Sequence, residues 1–99
     1  MEQLSADRRL ITVNVDRRWY GRRYTWLPVD SLSSEGFEIS CEGTYMKPEQ
    51  YDLQPGDIVR WQEEGRKFET EIATVERTAV RVKVTFGELK LLPPDYFLA

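Results

Sequence analysis

Gly36-Phe37-Glu38-Ile39-Ser40-Cys41-Glu42-Gly43 alternates apolar and polar residues at every step. A period of two puts Phe37, Ile39 and Cys41 on one face and Glu38, Ser40 and Glu42 on the other, the pattern of a half-buried β-strand. The alternation recurs on both sides of this stretch. Downstream, Val80, Val82, Val84 and Phe86 alternate with Arg81, Lys83 and Thr85. Residues 67–75 turn Phe68, Thr70, Ile72 and Thr74 the same way, and a hairpin turn at Glu64-Gly65 joins them to a strand over 57–62. Upstream, residues 9–15 align Ile11, Val13 and Val15, and residues 22–29 form a further strand. A short strand over 88–92 is stopped by Pro93-Pro94, because proline cannot donate to a ladder.

The intervening segments carry turn chemistry. Residues 30–36 are a Ser-rich turn, and Gln54-Pro55-Gly56-Asp57 has proline and glycine in turn order. Residues 44–53 are irregular, with one helical turn after Pro48. Six or seven short strands at close spacing predict an all-β fold, a small antiparallel β-barrel. The 99 residues make one domain, residues 1–99, with no repeat, linker or low-complexity stretch.

Composition excludes several kinds of chemistry. There is no histidine and one cysteine, Cys41, so a thiolate–imidazole zinc site lacks ligands and a Ser-His or Cys-His pair lacks its base. Glu69 and Glu71 share a strand face, and Glu63-Glu64 sits at a turn; with no histidine beside them they read as solvated acids, and the chain as a binding protein rather than an enzyme. Cys41, on an apolar face, reads as a small buried hydrophobe. The N-terminus lacks the apolar core of a signal peptide, and no run approaches the roughly 20 apolar residues that span a bilayer. A cytoplasmic location with no membrane contact is expected.

Charge is distributed unevenly. The net charge is −3. Within residues 8–23, however, Arg8, Arg9, Arg17, Arg18, Arg22 and Arg23 face Asp16 alone, and the rest of the chain is strongly acidic. Arginine presents a planar fork that pairs bidentately with phosphate and stacks on flat rings. A long nucleic acid would be repelled outside the basic segment, whereas a compact anion would meet only that segment. Trp19, Tyr20 and Tyr24 interleave with the arginines, so phosphate donors and stacking planes for a purine lie within nine residues, Asp16 to Tyr24. The plainer reading is a solvated hairpin loop whose arginine stems cover aromatic surface.

Arg18 and Arg22 are spaced R-x-x-x-R, and Ser31, Ser33 and Gly36 have the spacing of [D/N]-x-S-x-x-G, with Ser31 at the position of the Asp or Asn and Asp30 one residue earlier. Leu53-Gln54-Pro55-Gly56-Asp57-Ile58-Val59 follows L-x-P-G-D-x-V. Together these stretches resemble the PilZ domain family, bacterial β-barrel receptors for cyclic di-GMP. The small size and the arginine–aromatic loop are similar to the short, divergent cyclic di-GMP receptors of cyanobacteria, stand-alone adaptors linked to transcription regulators. The resemblance implies cyclic di-GMP as ligand, with no other cofactor and no metal. Arg17, Arg18, Arg22 and Arg23 would contact phosphates and guanine edges, and Trp19 or Tyr20 would stack on a base. Asp30 would accept from guanine N–H groups, Ser31 and Ser33 would hydrogen-bond, and Gly36 would let the backbone approach. Binding would be relayed to a protein partner such as a transcription regulator, and a homodimer is expected.

Two other readings stay open: a small barrel that binds RNA or DNA, and a protein-interaction module without a ligand. The apolar C-terminal tail Asp95-Tyr96-Phe97-Leu98-Ala99 is either a plug for the barrel mouth or a contact in a dimer or with a partner.

Overall fold

A computed structural model describes residues 10–98 of the chain. It is all-β, as the alternation predicts. The strands are β1 (Ile11–Asp16), β2 (Arg22–Val29), β3 (Ser31–Ser33), β4 (Gly36–Ser40), β5 (Ile58–Glu63), β6 (Arg66–Arg77), β7 (Arg81–Phe86) and β8 (Lys90–Leu91). A 3-10 turn, Pro48–Gln50, occupies the position expected for a helical turn. No described helix is long and apolar enough to cross a membrane.

The strands form one antiparallel path, β2-β1-β5-β6-β7-β4-β3, with β8 paired to β6. This path is open. No ladder joins β2 to β3 or β4 among the described residues, so the sheet is not closed into the barrel the strand pattern suggested. The reason lies at Asp30. There the chain leaves β2 and turns directly into β3, so the two ends of the path meet at a corner instead of side by side. The corner is held by one residue: the Asp30 N–H donates to the Glu38 carbonyl at 2.8 Å, and its carboxylate accepts the Ser40 N–H at 2.5 Å.

Curvature comes from β6. Its first half pairs with β5 and β8 and its second half with β7, and a register shift falls between Ile72 and Thr74. An inserted residue bends a strand and moves its side chains to the opposite phase. Hence Thr74 is exposed and Val75 turns inward, contrary to the expectation that Thr74 continues the Phe68, Thr70, Ile72 face. The 30–36 segment also differs from expectation. Only Ser34-Glu35 is the turn; Ser31–Ser33 pairs with β4, Ser31 opposite Glu38 and Ser33 opposite Gly36, which brings the strands among the described residues to eight. Three residues are too few for alternation to register.

The inward faces supply the core: Val13 and Val15, Leu27 and Val29, Phe37 and Ile39, Val59 and Trp61, Ile72, Val82 and Val84 are all buried. Fully burying such a side chain contributes about 1.5–3 kcal/mol. Trp61 stacks on Phe86 at 5.3 Å and lies 5.6 Å from Phe68, and Phe37 meets Phe86 edge-on. Cys41 is buried, as its face predicts. The Leu53-to-Val59 stretch is a structural device. Leu53 and Val59 enter the core, Gly56 adopts φ +96°, and Asp57 is buried. Arg77 pins the segment before it by donating to the carbonyls of Pro48, Tyr51 and Leu53.

Candidate functional site

The β1–β2 hairpin carries the arginine–aromatic loop at its tip. The ladder ends at the pair Asp16–Arg22, and the Arg17 N–H donates to the Gly21 carbonyl at 2.7 Å to close the loop. Gly21 has φ +108°, a conformation that side-chain-bearing residues rarely adopt. Closure over so few residues projects the intervening side chains outward: Trp19 is 88% exposed and Tyr20 89%. Arg17, Arg18, Trp19, Tyr20 and Arg22 line one shallow, widely open concavity of about 620 Å³, with Asp16, Thr25, Ile58 and Arg60.

The cations there are not equally engaged. Asp16 is shared between Arg22 Nε at 2.5 Å and Arg60 Nη1 at 2.6 Å. Arg60 also donates from Nε to Glu69 at 2.8 Å and lies over the Tyr96 ring, 5.6 Å from its centroid. Burial by itself lowers the Arg60 pKa, but the Glu69 hydrogen bond, Tyr96 and the two acids outweigh it; the net shift is upward and the guanidinium stays charged. Arg18 approaches Glu71 at 3.5 Å with both side chains about half exposed, a contact that water screens to little energy. Its guanidinium also lies over the Trp19 ring at 5.5 Å. Arg17 makes no ion pair among the described residues. The concavity therefore offers two lightly engaged guanidiniums, two more tied to one shared acid, and two exposed rings.

The remaining sequence candidates lie elsewhere. Arg23, one residue from Arg22 on the strand, points the other way; its side chain is 9% exposed, with Nε 2.7 Å from Asp57 and Nη1 2.8 Å from Asp52. Asp30 spends its carboxylate on the Ser40 N–H. Ser31, Ser33 and Gly36 line a separate concavity of about 310 Å³, with Glu35, Glu38, Lys83 and Thr85. A Cβ on Gly36 would collide with the Val84 carbonyl, so glycine at this position lets β4 and β7 approach. The R-x-x-x-R spacing and the Ser-x-Ser-x-x-Gly spacing thus belong to two different concavities. Arg8 and Arg9 lie outside the described residues.

Asp16, Thr25 and Arg60 belong to the first concavity and were missed by motif spacing. Arg60 sits between the inward-facing Val59 and Trp61, so alternation marks it as outward-facing. Only the β1–β5 ladder, with Asn14 opposite Arg60, brings it beside the hairpin. The described residues contain no group of three or more potential metal ligands. Comparison with protein-family models, curated proteins and solved structures gave no match.

Proposed function

We propose that the chain is a receptor for a compact, doubly charged guanine nucleotide, cyclic di-GMP, and that it acts by binding rather than by chemistry. The observation that carries this reading is the convergence of Arg17, Arg18, Arg22 and Arg60 with the exposed rings of Trp19 and Tyr20 around one concavity, on a chain of net charge −3. Guanidinium forks fit phosphate oxygens and the O6/N7 edge of guanine. An exposed indole or phenol ring offers a stacking plane worth about 1–3 kcal/mol per base. Arg17 and Arg18 meet the phosphates first, since neither must break a strong ion pair. Arg22 and Arg60 follow by exchanging Asp16 for a ligand oxygen. Arg23 and Asp30 serve the fold, and Ser31, Ser33 and Gly36 lie outside the ligand's reach in this reading. The bound protein acts on a protein partner, a transcription regulator being one fit, and pairs as a homodimer.

Calorimetric titration with cyclic di-GMP, cyclic di-AMP, GMP and a single-stranded oligonucleotide tests the reading, using the wild type and Arg18→Ala/Arg22→Ala. Micromolar or tighter binding of cyclic di-GMP, lost in the double variant, supports it. Equal binding by both proteins removes the arginine loop from the mechanism. A preference for the oligonucleotide that falls steeply with salt identifies a nucleic-acid module instead.

A further inference from the structure

A second concavity, of about 480 Å³, shares Arg60 with the proposed nucleotide site and is otherwise lined by different residues. Its apolar lining includes Leu10, 75% exposed, and Trp26, 59% exposed, together with Leu32 and Leu98. Trp26 has φ +54°. A bulky residue with positive φ is strained, and such strain persists only where neighbouring structure imposes it. Here the register between β1 and β2 shifts between Val13 and Val15, and the buried side chain of Asn14 accepts the Trp26 N–H at 2.7 Å. The bulge turns the largest side chain of β2 out to solvent while Leu27 and Val29 stay in the core.

One further observation says what would sit against it. Trp61, 4% exposed, forms part of the groove floor, and Arg60 lines the groove as well. Glu63 and Glu64 stand at the groove's end, both exposed and without an ion pair among the described residues. The groove therefore joins an apolar patch of Leu10, Trp26, Leu32 and Leu98 to an anionic end, with Arg60 tied to Asp16 and Glu69 at its side.

We infer that this groove is a docking site for a short segment of a partner protein that carries an apolar anchor beside a lysine or arginine. The anchor packs on Trp26 and the leucines, and the cation meets Glu63 and Glu64. Charge complementarity with these two acids chooses this occupant over an acidic peptide or a bare apolar surface. The inference does not depend on which nucleotide, if any, binds the arginine loop.

Selection of random displayed 12-residue peptides on the full chain, followed by titration of the enriched sequences as synthetic peptides, tests the assignment. The expected motif is one aromatic or aliphatic residue within three positions of Lys or Arg. Trp26→Ser is expected to weaken binding about 30-fold, the scale of an interface hot spot. Glu63→Gln/Glu64→Gln is expected to weaken it about 3- to 10-fold and to flatten its salt dependence. The Trp61 indole proton is expected to shift on peptide addition in NMR spectra assigned by Trp19→Ala and Trp26→Ser. Circular dichroism of each variant confirms the fold. No enrichment, enrichment of acidic peptides, peptides indifferent to Trp26→Ser, or peptides lost in Trp19→Ala would each overturn the assignment. So would a change in sedimentation on Trp26→Ser without peptide, which would make the groove a contact between two copies.

Discussion

The carboxylate of Asp16 meets the guanidinium of Arg60 at 2.6 Å while its other oxygen accepts from Arg22. One acid thus restrains two of the four arginines around the hairpin-tip concavity. Asp16→Asn keeps the shape and removes the charge. An anionic ligand then no longer competes with a resident carboxylate. Cyclic di-GMP affinity is expected to rise about 3- to 10-fold at low ionic strength, with the gain shrinking as salt screens it. The fold is expected to lose about 1–2 kcal/mol, since a charge-assisted pair has been weakened. Calorimetry at two salt concentrations and a urea titration read the two effects separately. An affinity that falls in Asp16→Asn contradicts the competition.

Trp19 and Tyr20 contribute almost nothing to the core, being 88% and 89% exposed. Their replacement by alanine is expected to leave the urea midpoint within error. If either ring stacks on a guanine, its loss is expected to weaken nucleotide binding by roughly 10- to 100-fold, the scale of one base–aromatic stack. A stability change in either variant would instead point to packing of the loop, and unchanged affinity in both would leave the rings without a part in binding.

Arg23 illustrates how neighbouring arginines divide between function and fold. It is buried against Asp57, itself only 3% exposed. Arg23→Ala strands that carboxylate in the interior and is expected to destabilise the protein by about 3–5 kcal/mol. Arg23→Met/Asp57→Leu removes both charges and is expected to recover most of that loss. Below the unfolding transition the double variant is expected to bind cyclic di-GMP like the wild type. A selective loss of binding at full stability would return Arg23 to the ligand set.

The alternation of residues 36–43, 80–86 and 57–62 made the strands readable, because one face of each meets the core and the other meets water. Features that break the period stayed hidden. The bulge between Ile72 and Thr74 reverses the phase of β6, and the bulge that exposes Trp26 depends on an Asn14 contact made across the ladder. β3 is three residues long and sits inside a Ser-rich turn. The arginine loop was visible from composition, but Arg60 was not, because its place depends on which strand lies beside β1. The open sheet followed from the Asp30 corner, which reads in sequence as an ordinary turn residue.

Tyr51 connects the fold to alkaline pH. Burial raises its pKa above the ordinary 10.0, and Cys41, Tyr24 and Asp30 push it in the same direction. A phenol whose folded pKa exceeds its unfolded value binds its proton more tightly in the native state. Its contribution is complete below pH 10 and is lost as pH rises through the folded pKa. Tyr51→Phe cannot ionise and is expected to retain more of its neutral-pH stability above pH 10 than the wild type does. Parallel thermal melts from pH 8 to pH 11 measure this, and identical pH profiles for the two proteins would exclude Tyr51 as the titrating group.

Gly36 decides between two explanations of the same sequence spacing. As part of a ligand motif, glycine would be needed where a nucleotide approaches the backbone. In the fold, it is needed because a Cβ would strike the Val84 carbonyl across the β4–β7 ladder. Val84 is paired on both sides, with Phe37 and with Val75, and its main chain cannot yield as a flexible side chain can. Gly36→Ala must therefore separate the strands locally and disturb the packing of Phe37 and Val84 beside it, both about 1% exposed. The expected cost is about 3 kcal/mol or more, at the severe end for a single methyl. Ser33→Ala, in the same concavity, loses only the bond to the Glu35 N–H and is expected to cost under about 1 kcal/mol. If the concavity beside Gly36 has no part in nucleotide binding, the folded fraction of Gly36→Ala, measured at low temperature, binds cyclic di-GMP with the wild-type constant, and so does Ser33→Ala. A Ser33→Ala variant of wild-type stability that binds at least tenfold more weakly would instead join the two concavities in one site.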